Sequence, residues 1–174
     1  LAARAAGHAL SSVLESVVLV VGYQSREIAD QVLGYCADPK LTVIENPDWR
    51  EGISTSIITG LSVVEDHFDH VMILLADMPH VPPSVIDLLV ERYLDSGACM
   101  GAVVRGDRRC HPVVFGRDMY LHLHSLRGDV GARALFDVFP HRVCIVTPDA
   151  PYDPRDIDTP EDYSRLCGDL PPRG

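Results

Sequence analysis

What the sequence lacks narrows it first. It has no C-x-x-C pair, no H-E-x-x-H, no G-x-S-x-G elbow and no P-loop. Its spacing therefore argues against a zinc site, an esterase-type serine nucleophile and a P-loop nucleotide site. No apolar run is long enough to span a membrane and no signal peptide is visible, so a soluble, cytoplasmic protein without a membrane partner is expected. Basic residues are scarce, 15 against 25 acids, for a formal charge of -10. Such a surface repels a phosphate backbone, and nucleic acid is not an expected partner. The densest basic stretch, Arg105 to Arg109 (RGDRR), reads as a solvated loop. The five cysteines are an odd number and sit mostly in apolar runs, where a reduced thiol acts as a small hydrophobe. That suits a reducing compartment.

What is there fits one domain: 174 residues, 47% hydrophobic and 23% charged. The chain is organised around His70 to Leu94 (HVMILLADMPHVPPSVIDLLVERYL). Val71 to Ala76 is an unbroken apolar run, the pattern of a strand buried on both faces. It ends on Asp77, Met78-Pro79 turns the chain, and Pro82-Pro83-Ser84 opens a helix. In open α/β sheets ligands sit just beyond the carboxyl ends of the strands. Asp77 stands there, able either to cap the turn or to hold a ligand.

Further strands are expected at Ser16–Val21, Leu41–Ile44, Ala98–Arg105, Pro112–Phe115 and Arg142–Thr147. Between them come helices from Arg4 to Leu14, from a Ser25 cap with Ile28, Val32 and Tyr35 on one face, and from Ser54 with Ile57, Leu61 and Val64. Shorter helices are expected within Arg117–Leu126 and Ala132–Val138, and Thr159-Pro160-Glu161-Asp162 has the form of a helix start. The alternation predicts an α/β fold: one doubly wound, mostly parallel, Rossmann-like sheet with helices on both faces, over residues 1–168, and a proline-rich tail over 169–174.

Several groups could carry chemistry. Asp153, Asp156 and Asp158 lie in a loop that can emerge beside Asp77, and two carboxylates there suit Mg2+. Gly52-Ile53-Ser54-Thr55-Ser56 precedes a helix and offers N–H groups and hydroxyls to an anion or a base edge, or simply a serine cap. Gly128 to Arg133 (GDVGAR) opens a second short helix, where Arg133 could steady a phosphate or pair with a local acid. His111-Pro112 is ambiguous. Trp49, the only tryptophan, could pack a base or anchor its loop.

Taken together, these stretches resemble the MobA-like nucleotidyltransferase family, specifically the molybdenum cofactor cytidylyltransferases. The matching pieces are Asn46 to Ser56 with Gly60-Leu61, Leu75 to Pro79, His111 to Phe115, Gly128 to Arg133, and Asp156 to Asp162, in the family's order. The resemblance implies transfer of CMP from CTP to the terminal phosphate of molybdopterin, with loss of pyrophosphate. It also implies Mg2+ at Asp77 and Asp158 with Asp156 next, Asp77 and Asp158 being the catalytic pair. Gly52, Ser54 and Ser56 would line the nucleotide-base pocket, with His111, Asp129 and Arg133 toward the acceptor. A molybdoenzyme or its chaperone is an implied partner. A guanylyltransferase, a transferase for another acceptor, or a non-catalytic nucleotide- or cofactor-binding module are the alternatives.

Two departures stand out. Cys110 precedes the His-Pro pair where family members often have Gly. The family's opening strand and Gly-rich, basic triphosphate loop also have no counterpart here: Leu1-Ala2-Ala3 reads as the end of that strand and Arg4 onward as the next helix. A loop missing between residues 3 and 4 is therefore expected.

Overall fold

The apolar run at Val71 becomes a strand, but a shorter one than its hydrophobicity implies: β3 covers only His70–Ile73. The reason lies in its neighbours. In the computed structural model, which describes residues 1–106, 108–149, 152 and 157, β3 pairs on one side only, antiparallel to β5 (Arg108–Gly116). Its ladder with β5 ends at Ile73–Val113, because the next β5 residue is Pro112, which has no N–H to donate, and a bulge follows.

The other strands are β1 (Val17–Val21), β2 (Leu41–Glu45), β4 (Met100–Arg105) and β6 (Val143–Val146). They do not join one sheet. β1 and β2 form a parallel pair, while β3-β5-β4-β6 form a separate four-stranded sheet. The single doubly wound sheet is thus corrected to two. In the larger sheet β5 is antiparallel to both β3 and β4, and β6 is parallel to β4. It follows that β3, β4 and β6 point the same way, and their carboxyl ends share one edge.

The helices α1 (Ala2–Leu10), α2 (Ser25–Tyr35), α3 (Ile53–Val64), α4 (Pro83–Ser96), α5 (Tyr120–His124) and α6 (Leu135–Val138) cover these sheets. α4 starts as its sequence predicts, with Pro82 at the cap and Pro83 in the first turn. One cap expectation is corrected: Ser25 is the first residue of α2 rather than its cap, behind a left-handed Gln24. α3 starts at Ile53, next to Ser54, with Gly52 as its cap. In α2, Val32 is buried but Tyr35 is 69% exposed, so its apolar face is narrower than expected. The strand end expected at Leu1-Ala2-Ala3 is instead the first turn of α1. α1 has Leu1 at its N-cap, whose carbonyl accepts from Ala5 N–H at 3.1 Å.

Two apolar clusters build the larger half, around Phe115, Phe136 and Leu123, and around Ile86, Leu89 and Val103. The smaller half is built on Ala6, Val32 and Cys36. A cleft of about 1120 Å3 lies between the halves, walled by the unpaired edges of β1 and β3, by the alanines of α1 and by α3. Successive residues Val17 to Val20 and Val71 to Ile73 all reach it, as they must where a strand presents its edge rather than a face. α3 roofs both halves: Leu61 lies in the larger core, and Gly60 comes so close to Val20 that a Cβ there would meet it at 3.1 Å.

Candidate functional site

Among the polar residues lining the cleft, Ser56, His111, Asp129 and Arg133 share it with Ala76, the residue before Asp77, while Glu15, Ser16, His67, Asp69 and His70 line it near the amino ends of β1 and β3. Those of the first group reach it by different local devices.

The 52–56 segment is held by the loop that precedes it. The chain leaves β2 at Asn46, which is 1% exposed. Its side-chain amide donates to Thr55 Oγ1 at 2.8 Å and to Ser56 Oγ at 3.0 Å, and its Oδ1 accepts from Asp48 N–H at 3.0 Å. Asn46 thereby fixes where both hydroxyls point. Trp49 is seated over Gly22, whose missing Cβ would stand 2.6 Å from the Trp49 Cβ. Arg50 lies over the indole, 4.7 Å from the ring centroid. In this arrangement the tryptophan anchors its loop.

Gly52 makes the closest backbone contact of the site. Its φ is +108°, and a Cβ there would meet Gly128 C at 2.2 Å and Gly128 O at 2.4 Å. Only glycine meets both conditions. Ser54 N–H then donates to Gly128 O at 3.1 Å, and Ser54 is itself 1% exposed. The two segments singled out in sequence, 52–56 and 128–133, are therefore in direct contact. Ser54 is buried in that junction, while Ser56 faces the cleft. Asp129 and Arg133 are exposed and make no ion pair with a described residue.

His111 sits in an irregularity of β5. Ala102 pairs with Val113 but the next residue, Val103, pairs with Cys110, so His111 and Pro112 are extra on the β5 side. The His111–Pro112 peptide is cis. A bulge of this kind re-aims side chains at a sheet edge. His111 is 8% exposed, its Nδ1 3.3 Å from Ile73 O, and its carbonyl accepts from the Tyr152 hydroxyl at 3.2 Å. Burial pushes the Tyr152 phenol up to about 12; Cys110 pushes the same way and Arg105 opposes it. At the wall of this site it is a neutral donor at ordinary pH.

Asp77 stands past the end of β3, half-buried. Its carbonyl accepts from Ile157 N–H at 2.9 Å. Ile157 itself therefore lies at the β3 end. Asp153, Asp156, Asp158 and the helix start at Thr159 lie outside the described residues. Among the described residues no three acids, histidines or cysteines cluster as a metal site.

Asn46 and Tyr152 are the contributors that sequence patterning did not single out individually. For Asn46 the signal was available: an amide at a strand end, followed at nine and ten residues by hydroxyls. Tyr152 carries no local signal, because its partner is a backbone carbonyl.

In α/β folds ligands sit beyond the carboxyl ends of the strands, the edge on which Asp77, Asn46 and the 52–56 segment stand. The MobA-like NTP transferase domain matches residues 1–147, and the chain belongs to that family. It is a nucleotidyltransferase of the MobA-like kind. Solved structures agree on the fold. Rv0371c of Mycobacterium tuberculosis H37Rv, crystallised in complex with manganese, is 23% identical, with a TM-score of 0.73 over 95% of this chain and 84% of that one. The 4-diphosphocytidyl-2C-methyl-D-erythritol synthase of Anaerococcus prevotii is 13% identical, with a TM-score of 0.75 over 96% of this chain and 84% of that one. A nucleotidyl transferase from Methanothermobacter is 18% identical, with a TM-score of 0.72 over 95% and 77%. No curated protein matches.

Proposed function

We propose that this protein transfers CMP from CTP to the terminal phosphate of a molybdopterin-type acceptor. An acceptor phosphate oxygen attacks the α-phosphorus of CTP, the bond to the β-phosphate oxygen breaks, and pyrophosphate leaves with that electron pair. The observation that carries the reading is the contact of segments 52–56 and 128–133 in the cleft wall. Ser54 N–H on Gly128 O sets the nucleotide-side and acceptor-side pieces of the resemblance against each other. Such a reaction asks a protein for positioning and charge neutralisation more than for covalent help.

In this reading Ser56 and the backbone around Gly52 receive the base, with the Ser56 hydroxyl oriented by Asn46. His111, Asp129 and Arg133 face the acceptor, and Asp77 and Asp158 are the catalytic carboxylates. Among the described residues Asp77 suits a hard divalent cation, being a carboxylate at the sheet edge, and its carbonyl accepts from Ile157 N–H. Mg2+ held by Asp77, Asp158 and Asp156 would supply the charge that offsets the triphosphate. A molybdoenzyme or its chaperone would receive the product in the cytoplasm.

The test is pyrophosphate release with CTP, GTP, ATP and UTP, each with and without molybdopterin. Release with CTP and acceptor together, reduced by roughly a hundredfold or more in Asp77→Ala, is the expected result. Preference for GTP would make the protein a guanylyltransferase, and release undiminished in Asp77→Ala would remove the metal assignment. Nucleotide binding without turnover would make it a binding module.

A further inference from the structure

The run Arg105 to Arg109, unremarkable as sequence, divides into two kinds of arginine in the fold. Arg109 is used internally: it donates to Asp137 at 2.9 Å and lies 5.8 Å over the Phe136 ring. Arg105 and Arg108 are different. They are the last pair of the β4–β5 ladder, directly opposite each other, and both are exposed. Like charges placed directly opposite across a ladder destabilise it. Neither makes an ion pair with a described residue to relieve this, in a chain whose acids outnumber its bases 25 to 15. Two exposed arginines held directly opposite each other, with acids abundant in the chain, make a place for an anion from outside.

The location agrees. β4 and β3 run parallel to each other, so the hairpin tip stands on the same edge as Asp77. The bulge at His111-Pro112 intervenes between the sheet body and this tip and sets its direction. Arg105 also lies close enough to the Tyr152 phenol to oppose the rise of its pKa, and Tyr152 holds the His111 carbonyl. Arg105 thus belongs to the surroundings of His111.

We propose that Arg105 and Arg108 form an anion-binding pair for the phosphate monoester of the acceptor. This deepens the nucleotidyltransferase reading and rests on it for the identity of that phosphate. The two guanidiniums offer parallel N–H donors to a dianionic phosphate and leave one of its oxygens free to attack.

The experiment uses the full chain and the double variant Arg105→Gln/Arg108→Gln. Thermal unfolding is followed with and without inorganic phosphate, alongside CTP binding by calorimetry and the KM for molybdopterin. Wild type should gain melting temperature with phosphate, as any native-state ligand requires. Without phosphate the variant should melt higher than wild type, since repulsion is gone, and it should lose the phosphate-dependent gain. Its acceptor KM should rise roughly tenfold or more while CTP affinity stays within about twofold. A phosphate gain retained in the variant, or a loss of CTP affinity equal to the loss for acceptor, would overturn the pair's assignment. Failure of wild type to bind CTP would instead strike the nucleotidyltransferase reading, leaving the phosphate response to judge the pair alone.

Discussion

The two halves of the molecule use the same kinds of element with different density of packing. The four-stranded half buries Phe115, Phe136, Ile86, Leu89 and Leu123 completely, under α4 and α5. The two-stranded half has three buried residues in its cluster, one of them an alanine, and most of β1 is only half-buried. Both halves turn an unpaired strand edge to the same cleft. Burial at about 25 cal/mol per Å2 of apolar surface makes the larger half the carrier of stability. The smaller half contributes the 46–52 loop, and a region of low apolar contact is where local opening is cheapest.

The largest effect that would break this contrast is in the dense core. Phe136→Ala, which removes a ring 5.5 Å from that of Phe115, should cost about 3–5 kcal/mol and unfold the whole chain together. Val32→Ala in the smaller cluster should cost only about 1.5 kcal/mol. It should show as faster amide exchange in β1 and β2, with β4 and β5 unchanged. Equal exchange in both halves would show one cooperative unit instead.

Next comes the junction where the halves exchange their functional segments. Gly52→Ala places a Cβ into the Gly128 backbone at a positive φ, and a loss of about 3 kcal/mol is expected from strain and displacement. Nucleotide affinity should fall in parallel. A variant with full affinity by calorimetry would mean the two segments act separately.

The smallest effect concerns alkaline pH. Tyr93 is buried and its phenol is pushed from 10.0 up to about 12, first by burial and then by Cys99 and other neighbours. Folding keeps that proton on. The resulting stability is fully present below pH 10 and lost between pH 10 and about 12, as the unfolded chain ionises first. In the smaller half, burial raises the Cys36 thiol above 9.0, so its loss begins about a pH unit earlier. Melting curves across pH 8–12 should show both steps, with Tyr93→Phe removing part of the later one and Cys36→Ala the earlier.

Much of this was legible beforehand, for reasons visible in particular residues. β1, β2 and α4 announce themselves by apolar runs and by Pro82-Pro83, which are local signals. The kinship of segments 52–56 and 128–133 with one site was legible through resemblance, but their contact at Gly52 was not, since two glycines carry no pairing code. The division into two sheets was not legible either. Val71 to Ala76 has the composition of a central strand, and composition does not report whether a second neighbour is present. Nor does an arginine run disclose its register: Arg105 faces Arg108 only because the turn at Gly106 and the two extra residues at His111-Pro112 place it there.

The meeting of Gly52 with Gly128 has a consequence for how this protein can vary. Exposed turns such as that at Gly106 can lengthen or shorten at small cost. Where backbone rests on backbone there is no rotamer to take up a mismatch, so a residue inserted into one loop is felt in full by the other. Residues 46–52 and 127–131 are in that sense one inherited part in two pieces. A change of length in either would persist through evolution or design only with a matching change in its counterpart.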